Sequence, residues 1–341
     1  MKKILTFVLT TAMVLSLASS AMAAPSPTVR DEDIVHNGSP QYMAYNDATR
    51  DGKKAELRQL GKFCYEQFIA NEENMDRFMD GVNKLAEDVK DDGVKTTVIL
   101  APTSAGMLSP RYQDWSGSED EGAAAEAMSE KAADGVQFIN MLPVIKGIHK
   151  EKTPLFFYTA PYWNPDGAYV AYRNYCEKNG LTTFEQDELS RLEEGEYRGP
   201  YYAFAADYKM LGKDEMSPFV PKGNFKVESN GSEYNNPIVD FSDKANEKKY
   251  GTFLGDETGT VKITNLDAAE DGDTCLIIKD SFGNPFAAYL SQNYRTIYVI
   301  DFRTFEGSIR EFVQENKVDV IIICTGIESV QGTDFAEMLE K

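Results

Sequence analysis

Histidine is scarce in this chain of 341 residues: there are two, His36 and His149. That leaves no histidine-rich metal site and few sources of an imidazole base. Cysteine is nearly as rare. Cys64, Cys176, Cys275 and Cys324 show neither a metal-ligand spacing nor a disulfide framework, and three full pairings stay open. Cys275 and Cys324 lie in apolar runs, where a thiol serves as a small buried side chain. Asp271-Gly272-Asp273 is too short for a calcium loop and reads as a turn. No metal or cofactor is expected. Positive charge is also in short supply, 35 Lys and Arg against 55 Asp and Glu, for a net charge of −20. Such a surface repels nucleic acid and anionic membranes, and suits solubility, cationic partners or neutral glycans. Long apolar runs are missing too. Residues 4–17 carry no charge, follow Lys2 and Lys3, and precede Ala21-Met22-Ala23. This is the form of a cleavable secretory leader over residues 1–23, and it is short for a membrane span. The reading gives an extracytoplasmic chain from about Ala24, at −22 once Lys2 and Lys3 are lost, with no transmembrane segment and no lipid-accepting cysteine after the cleavage site.

What is present is an alternation of apolar runs and amphipathic stretches. The spacing of Phe78, Val82, Leu85 and Val89 predicts a helix over residues 74–93, ended by Gly93. Residues 96–101 read as a buried strand stopped by Pro102. Residues 124–149 read as one helical stretch, with His149 near its end answering the helix dipole at the surface. Residues 155–159 read as a second strand. Asn164-Pro165 opens a third helix, with Ala168, Ala171, Tyr172 and Tyr175 on one face. Residues 181–250 are rich in Tyr, Phe, Gly, Pro and acids, and long for a connection; they read as an insertion that covers or lines a site. Strands over 276–279, 296–300 and 318–324 then alternate with helices over 285–292 and 305–316. This pattern predicts a single α/β domain over residues 24–341, with a mostly parallel sheet covered by helices on both faces. Ligands bind such sheets at the C-terminal strand ends: here 159–163, 280–283 and 301–303.

Residues 276–289, LIIKDSFGNPFAAY, place the Ser281 hydroxyl between a strand end and a helix start. The backbone N–H groups of that turn are expected to face the hydroxyl as an oxyanion site. Gly283 would allow close approach, and Asn284 would cap the helix or donate a hydrogen bond. An Asp-Ser turn also serves simply to start a helix.

Three segments resemble the DHHW family of exported bacterial proteins, relatives of the SGNH-like domain of alginate O-acetyltransferases. Residues 155–172, LFFYTAPYWNPDGAYVAY, parallel a strand followed by T-D-H-H-W and then G-A-Y-x-A-Y. Residues 250–256, YGTFLGD, resemble Y-x-x-F-L-G-G. Residues 276–303 parallel L-I-I-K-D-S-x-x-N and the I-x-V-I-D-x-R strand. The resemblance implies a three-layer SGNH-like (flavodoxin-like) fold with a permuted order of catalytic blocks. It also implies acyl transfer through a serine ester, with a histidine base oriented by an aspartate.

This chain departs from the pattern at the decisive positions. Ala160-Pro161-Tyr162-Trp163 stands where D-H-H-W is expected, so Ala160 replaces the orienting acid and Tyr162 the base. A phenol with a reference pKa of about 10 accepts a proton poorly at neutrality. Asp166, Asp280, Asp301 or a glutamate of the insertion would have to substitute, or His36 would have to fold over the site. Three functions follow. One is a catalytically degenerate protein that binds a cell-envelope or extracellular glycan, with Trp163, Tyr169, Asp301 and Arg303 as binding residues. In that reading Tyr162, Tyr201, Tyr202 and Phe204 are further stacking candidates, against core packing. A second is a serine esterase or polysaccharide O-acetyltransferase using Ser281 with a substituted base. The third is a structural or interaction protein without a pocket function.

Overall fold

Eight strands form one twisted sheet in the computed structural model. The model describes residues 41–42, 49–50, 53–54, 56–108, 112, 116–149, 154–203, 209, 211–255 and 259–341. The leader region and His36 lie outside the described residues. Numbered in chain order, the sheet strands are β1 Lys95–Ala101, β2 Val136–Asn140, β3 Phe225–Ser229, β4 Ser232–Tyr234, β5 Val261–Asn265, β6 Thr274–Lys279, β7 Thr296–Asp301 and β8 Val320–Gly326. Their spatial order is β4-β3-β5-β7-β6-β8-β1-β2. The five strands from β7 to β2 run parallel, and β5, β3 and β4 extend the sheet antiparallel.

The central strands are apolar throughout because both of their faces are covered. On one face Leu276, Ile278, Ile321 and Ile323 pack with Phe78, Val82 and Leu85 of α1 (Glu72–Val89). On the other, Ile277, Ile322 and Cys324 pack with Tyr172 and Tyr175 of α4 (Pro165–Asn179) and Phe286 of α5 (Gly283–Leu290). The fold class is thus the mixed, mostly parallel α/β sheet that the alternation implies. All four cysteines are free and buried. No helix among the described residues is long and apolar enough to cross a membrane.

Two stretches differ from expectation. Residues 124–149 are not one helix but α2 (Glu121–Glu130), β2 and α3 (Leu142–Ile148). Gly135, at φ 97°, makes the turn into β2. That strand lies at the sheet edge with only Ile139 buried, so it lacks the continuous apolar signature of its neighbours. Residues 155–159 do not join the sheet. They make one bridge, Phe156 to Trp163, and their backbone is held by loop backbone groups and by side chains instead. Asp214 accepts the N–H groups of Tyr158 (2.8 Å) and Thr159 (2.9 Å), and His149 Nδ1 accepts that of Leu155 (3.2 Å). Within residues 181–250, Ser190–Arg191 pairs with Phe219–Val220 and Gly195–Tyr197 with Asp214–Met216. Residues 225–234 are part of the main sheet as β3 and β4.

Candidate functional site

Ser281 lies past the C-terminal end of β6, on a turn that four neighbours fix. Asp280, buried, accepts the N–H of Phe282 (2.9 Å) on one oxygen. Its other oxygen accepts the Thr325 hydroxyl (3.0 Å), the Gly326 N–H (2.8 Å) and the Ser329 hydroxyl (2.6 Å). The turn is thereby tied to the end of β8. Trp163 donates its indole N–H to the Phe282 carbonyl at 3.0 Å, and the Tyr250 hydroxyl donates to the Ser281 carbonyl. Gly283 is required by space, since a Cβ there would stand 2.3 Å from the Lys279 Cβ.

The turn offers only part of the oxyanion site expected of it. Three of its N–H groups are already engaged, leaving fewer donors than expected: Phe282 with the Asp280 carboxylate, Gly283 with the Asp280 carbonyl (3.0 Å) and Asn284 with the Ser281 carbonyl (3.4 Å). The helix begins at Gly283, so Asn284 lies inside its first turn and is not its cap.

Ser281 opens onto a narrow cleft of about 70 Å³, lined also by Glu66, Thr103, Tyr162, Tyr201, Phe302, Arg303 and Glu328. Its two glutamates, Glu66 and Glu328, were not legible as site residues. Glu66 ends the strand Phe63–Glu66, and Glu328 follows β8 by two residues. The only sequence signal for the second was its place just past the C-terminal end of a parallel strand. Burial pushes the Glu66 carboxyl up to about 7, although the Tyr201 hydroxyl, 3.1 Å away, works the other way. Burial and the neighbouring charges of Glu66 and Glu121 push Glu328 well above the usual carboxylate range.

Tyr162 lines this cleft but is committed. Its hydroxyl lies 2.7 Å from that of Tyr197, and its ring packs 4.5 Å from that of Tyr250. Burial and the nearby Tyr162 keep the Tyr197 phenol well above its ordinary pKa, so Tyr197 stays protonated. Ala160 is wholly buried, and a Cβ built on Gly199 would stand 2.7 Å from its methyl group.

The binding residues expected from sequence are only partly brought to the cleft. Arg303 lines it, and Asp301 lies behind, held by the Arg303 guanidinium (2.8 Å to Nε) and by Lys279 (2.8 Å). Burial opposes the charge on Asp301, but Arg303 and Lys279 together hold its carboxyl well below the usual range. Trp163 and Tyr169, at 0 % and 2 % exposure, are core side chains that do not line this cleft. Tyr201 is buried but orients Glu66, and Tyr202 packs under Arg198. Phe204 lies outside the described residues.

Nor do the expected substitute bases stand ready. Asp166 pairs with Arg191, and Asp280 and Asp301 are engaged as above. Among the described residues, no glutamate of residues 181–250 lines the cleft. His149 is absent from it too. It is not a surface partner of the helix dipole: its Nδ1 accepts a backbone N–H, its ring lies near Phe63 and Phe156, and burial lowers its pKa.

A family model described as DHHW protein matches residues 22–300. The chain belongs to the DHHW family. Its fold is shared with a DHHW family protein from Eubacterium siraeum DSM 15702, at 18% identity and a TM-score of 0.72, over 84% of this chain and 94% of that one. It is also shared with Bacillus cereus PatB1, at 17% identity and a TM-score of 0.65, over 83% and 99% of the two chains. PatB1 solved with a sulfonyl adduct gives 16% identity and a TM-score of 0.66, over 82% and 98%. No curated protein matches. Within this DHHW chain, the Tyr250 segment and Trp163, both carried by the family resemblance, brace the turn that presents Ser281.

Proposed function

We propose that this DHHW protein is an extracytoplasmic binding protein for a cell-envelope or extracellular glycan, and that it lacks the family's histidine–aspartate acyl-transfer machinery. The observation that carries the reading is the state of positions 160 and 162. Ala160 is packed against Gly199, and Tyr162 is hydrogen-bonded to Tyr197, so neither orients nor accepts a proton. The engaged N–H groups of the Ser281 turn agree with this. The opening of Ser281 onto a cleft with mixed apolar and polar walls favours a binding role over a purely structural one. Its walls combine Phe302, Phe282 and Ile327 with the polar Thr103, Arg303 and Ser329. Apolar faces with a few placed polar groups suit sugar rings and their hydroxyls. The net charge favours neutral or cationic polymers over anionic ones. The leader-like residues 1–23 support export.

Calorimetric titration with a panel of soluble neutral, cationic and anionic polysaccharides tests this. Binding of at least one neutral or cationic polymer is expected, weakened about tenfold or more by Phe302→Ala or Arg303→Ala. An empty panel, or binding indifferent to both substitutions, sinks the reading.

A further inference from the structure

We propose that the carboxylates of Glu66 and Glu328 act as a pair to take the proton of the Ser281 hydroxyl, giving the cleft a slow ester hydrolysis that needs no histidine. The three side chains line one cleft although they come from distant parts of the chain. Two chains of contact hold them there. Glu66 is 5 % exposed, and its Oε2 accepts the Tyr201 hydroxyl. The Tyr201 N–H in turn donates to the Thr159 carbonyl at 2.9 Å. Glu66 is therefore oriented by the same segment that carries the vacated positions 160 and 162. Glu328 is flanked by Gly326 and Ser329, both of which donate to Asp280, the residue before Ser281.

Buried carboxylates that repel one another do not ionise together. The Glu66–Glu328 pair accordingly resists double ionisation and titrates as a unit. The other titratable or charged groups nearby are accounted for. Tyr201 donates to Glu66, and burial pushes the Cys64 thiol up to about 12. Glu121 is hydrogen-bonded to Thr103, Asp280 is tied to the end of β8, and Arg303 is paired with Asp301. A carboxylate raised toward neutrality by burial is a competent general base.

The chemistry closes on the pair. As Ser281 Oγ bonds to an ester carbonyl carbon, its proton passes to the ionised carboxylate. The ester C–O bond then breaks, and the alcohol leaves with that proton. Water attacks the acyl-serine, gives a proton to the same carboxylate, and the acid departs as Ser281 recovers its own. Because the N–H groups of Phe282, Gly283 and Asn284 are engaged, the reaction lacks the oxyanion stabilisation they would give, whose loss costs about 100-fold or more per donor. Turnover is thus expected with activated esters. The proposal is independent of polymer binding.

The test is 4-nitrophenyl acetate hydrolysis and fluorophosphonate labelling of the full chain. Ser281→Ala, Glu66→Gln and Glu328→Gln are compared with wild type, each checked for a normal melting transition. Wild type should turn over and label, and Ser281→Ala should do neither. Each Gln variant should lose about 100-fold in rate. The wild-type labelling rate should rise in one step through neutral pH, and the step should vanish in Glu66→Gln. Wild type matching Ser281→Ala, or folded Gln variants as fast as wild type, overturns the proposal. If a Gln variant fails to fold, the wild-type profile decides: a flat labelling rate between about pH 5 and about pH 8 also overturns it.

Discussion

At position 160 a methyl group fills the space left between Thr159 and Gly199. The Thr159 carbonyl lies 2.3 Å, and the Ala160 methyl 2.7 Å, from where a Gly199 Cβ would stand, so the contact has no slack. A carboxylate introduced here would be buried without a cation to pair it. Ala160→Asp is expected to destabilise the protein by about 3 kcal/mol, read as a shift of the denaturant midpoint. Tyr162→His would meanwhile strip Tyr197 of its hydroxyl partner. The double substitution, which on sequence grounds would restore the family's base, should therefore yield a weakened protein without fast esterase activity. A stable, fast double variant would show that the pocket has more room than its packing implies. Ser281 itself was legible in the sequence, because a strand end before a helix is a local pattern. Its carboxylate neighbours were not, since Glu66 and Glu328 meet only through tertiary packing and neither belongs to a local motif.

Adjacent strands β6 and β7 pair Lys279 with Asp301 in register, at their C-terminal ends beside the cleft. Lys279 is 0 % exposed, so its ammonium depends on that carboxylate, and Arg303 shares it. Asp301→Asn leaves a buried cation without its counter-charge and should cost about 3 kcal/mol or more, measured by chemical denaturation. A loss below about 1 kcal/mol would mean that the pair is solvated in a way its burial denies. The same strands were easy to read beforehand because each is apolar on both faces. Strand β2 was not, being half-exposed at the edge. The run 155–159 misled in the opposite sense. Its composition is that of a strand, but the Asp214 carboxylate and His149 take the N–H groups that a neighbouring strand would have taken. The aromatic stretch 190–220 shows no period because it folds into two-stranded pieces too short to display one.

For the molecule as a whole, buried carboxyls set the pH response. Burial raises Glu66 and Glu121 to about 7 and Asp214 to about 6. A carboxyl whose folded pKa exceeds its unfolded value binds more protons in the native state, so stability falls as pH rises between the two. Each such glutamate contributes about 3 kcal/mol to that fall. Asp301 acts in the other direction. Its folded pKa is lowered, so the stability it lends is present above about pH 4 and lost in stronger acid. The melting temperature is expected to be higher at pH 5 than at pH 8, with part of the difference removed in Glu121→Gln. The reverse order would contradict the burial of these groups. The sheet's topology has a consequence of a different kind, in the order of events during synthesis. β8 comes last of its strands yet sits between β6 and β1, pairing Val320 with Lys95. Until residue 320 is added, one edge of β1 stands open from residue 102 onward and one edge of β6 from residue 280 onward, the condition that invites misassociation. Pairing across so much chain is slow as well. A transcript interrupted before codon 320 would encode two sheet fragments without their shared strand, and no smaller version of the cleft.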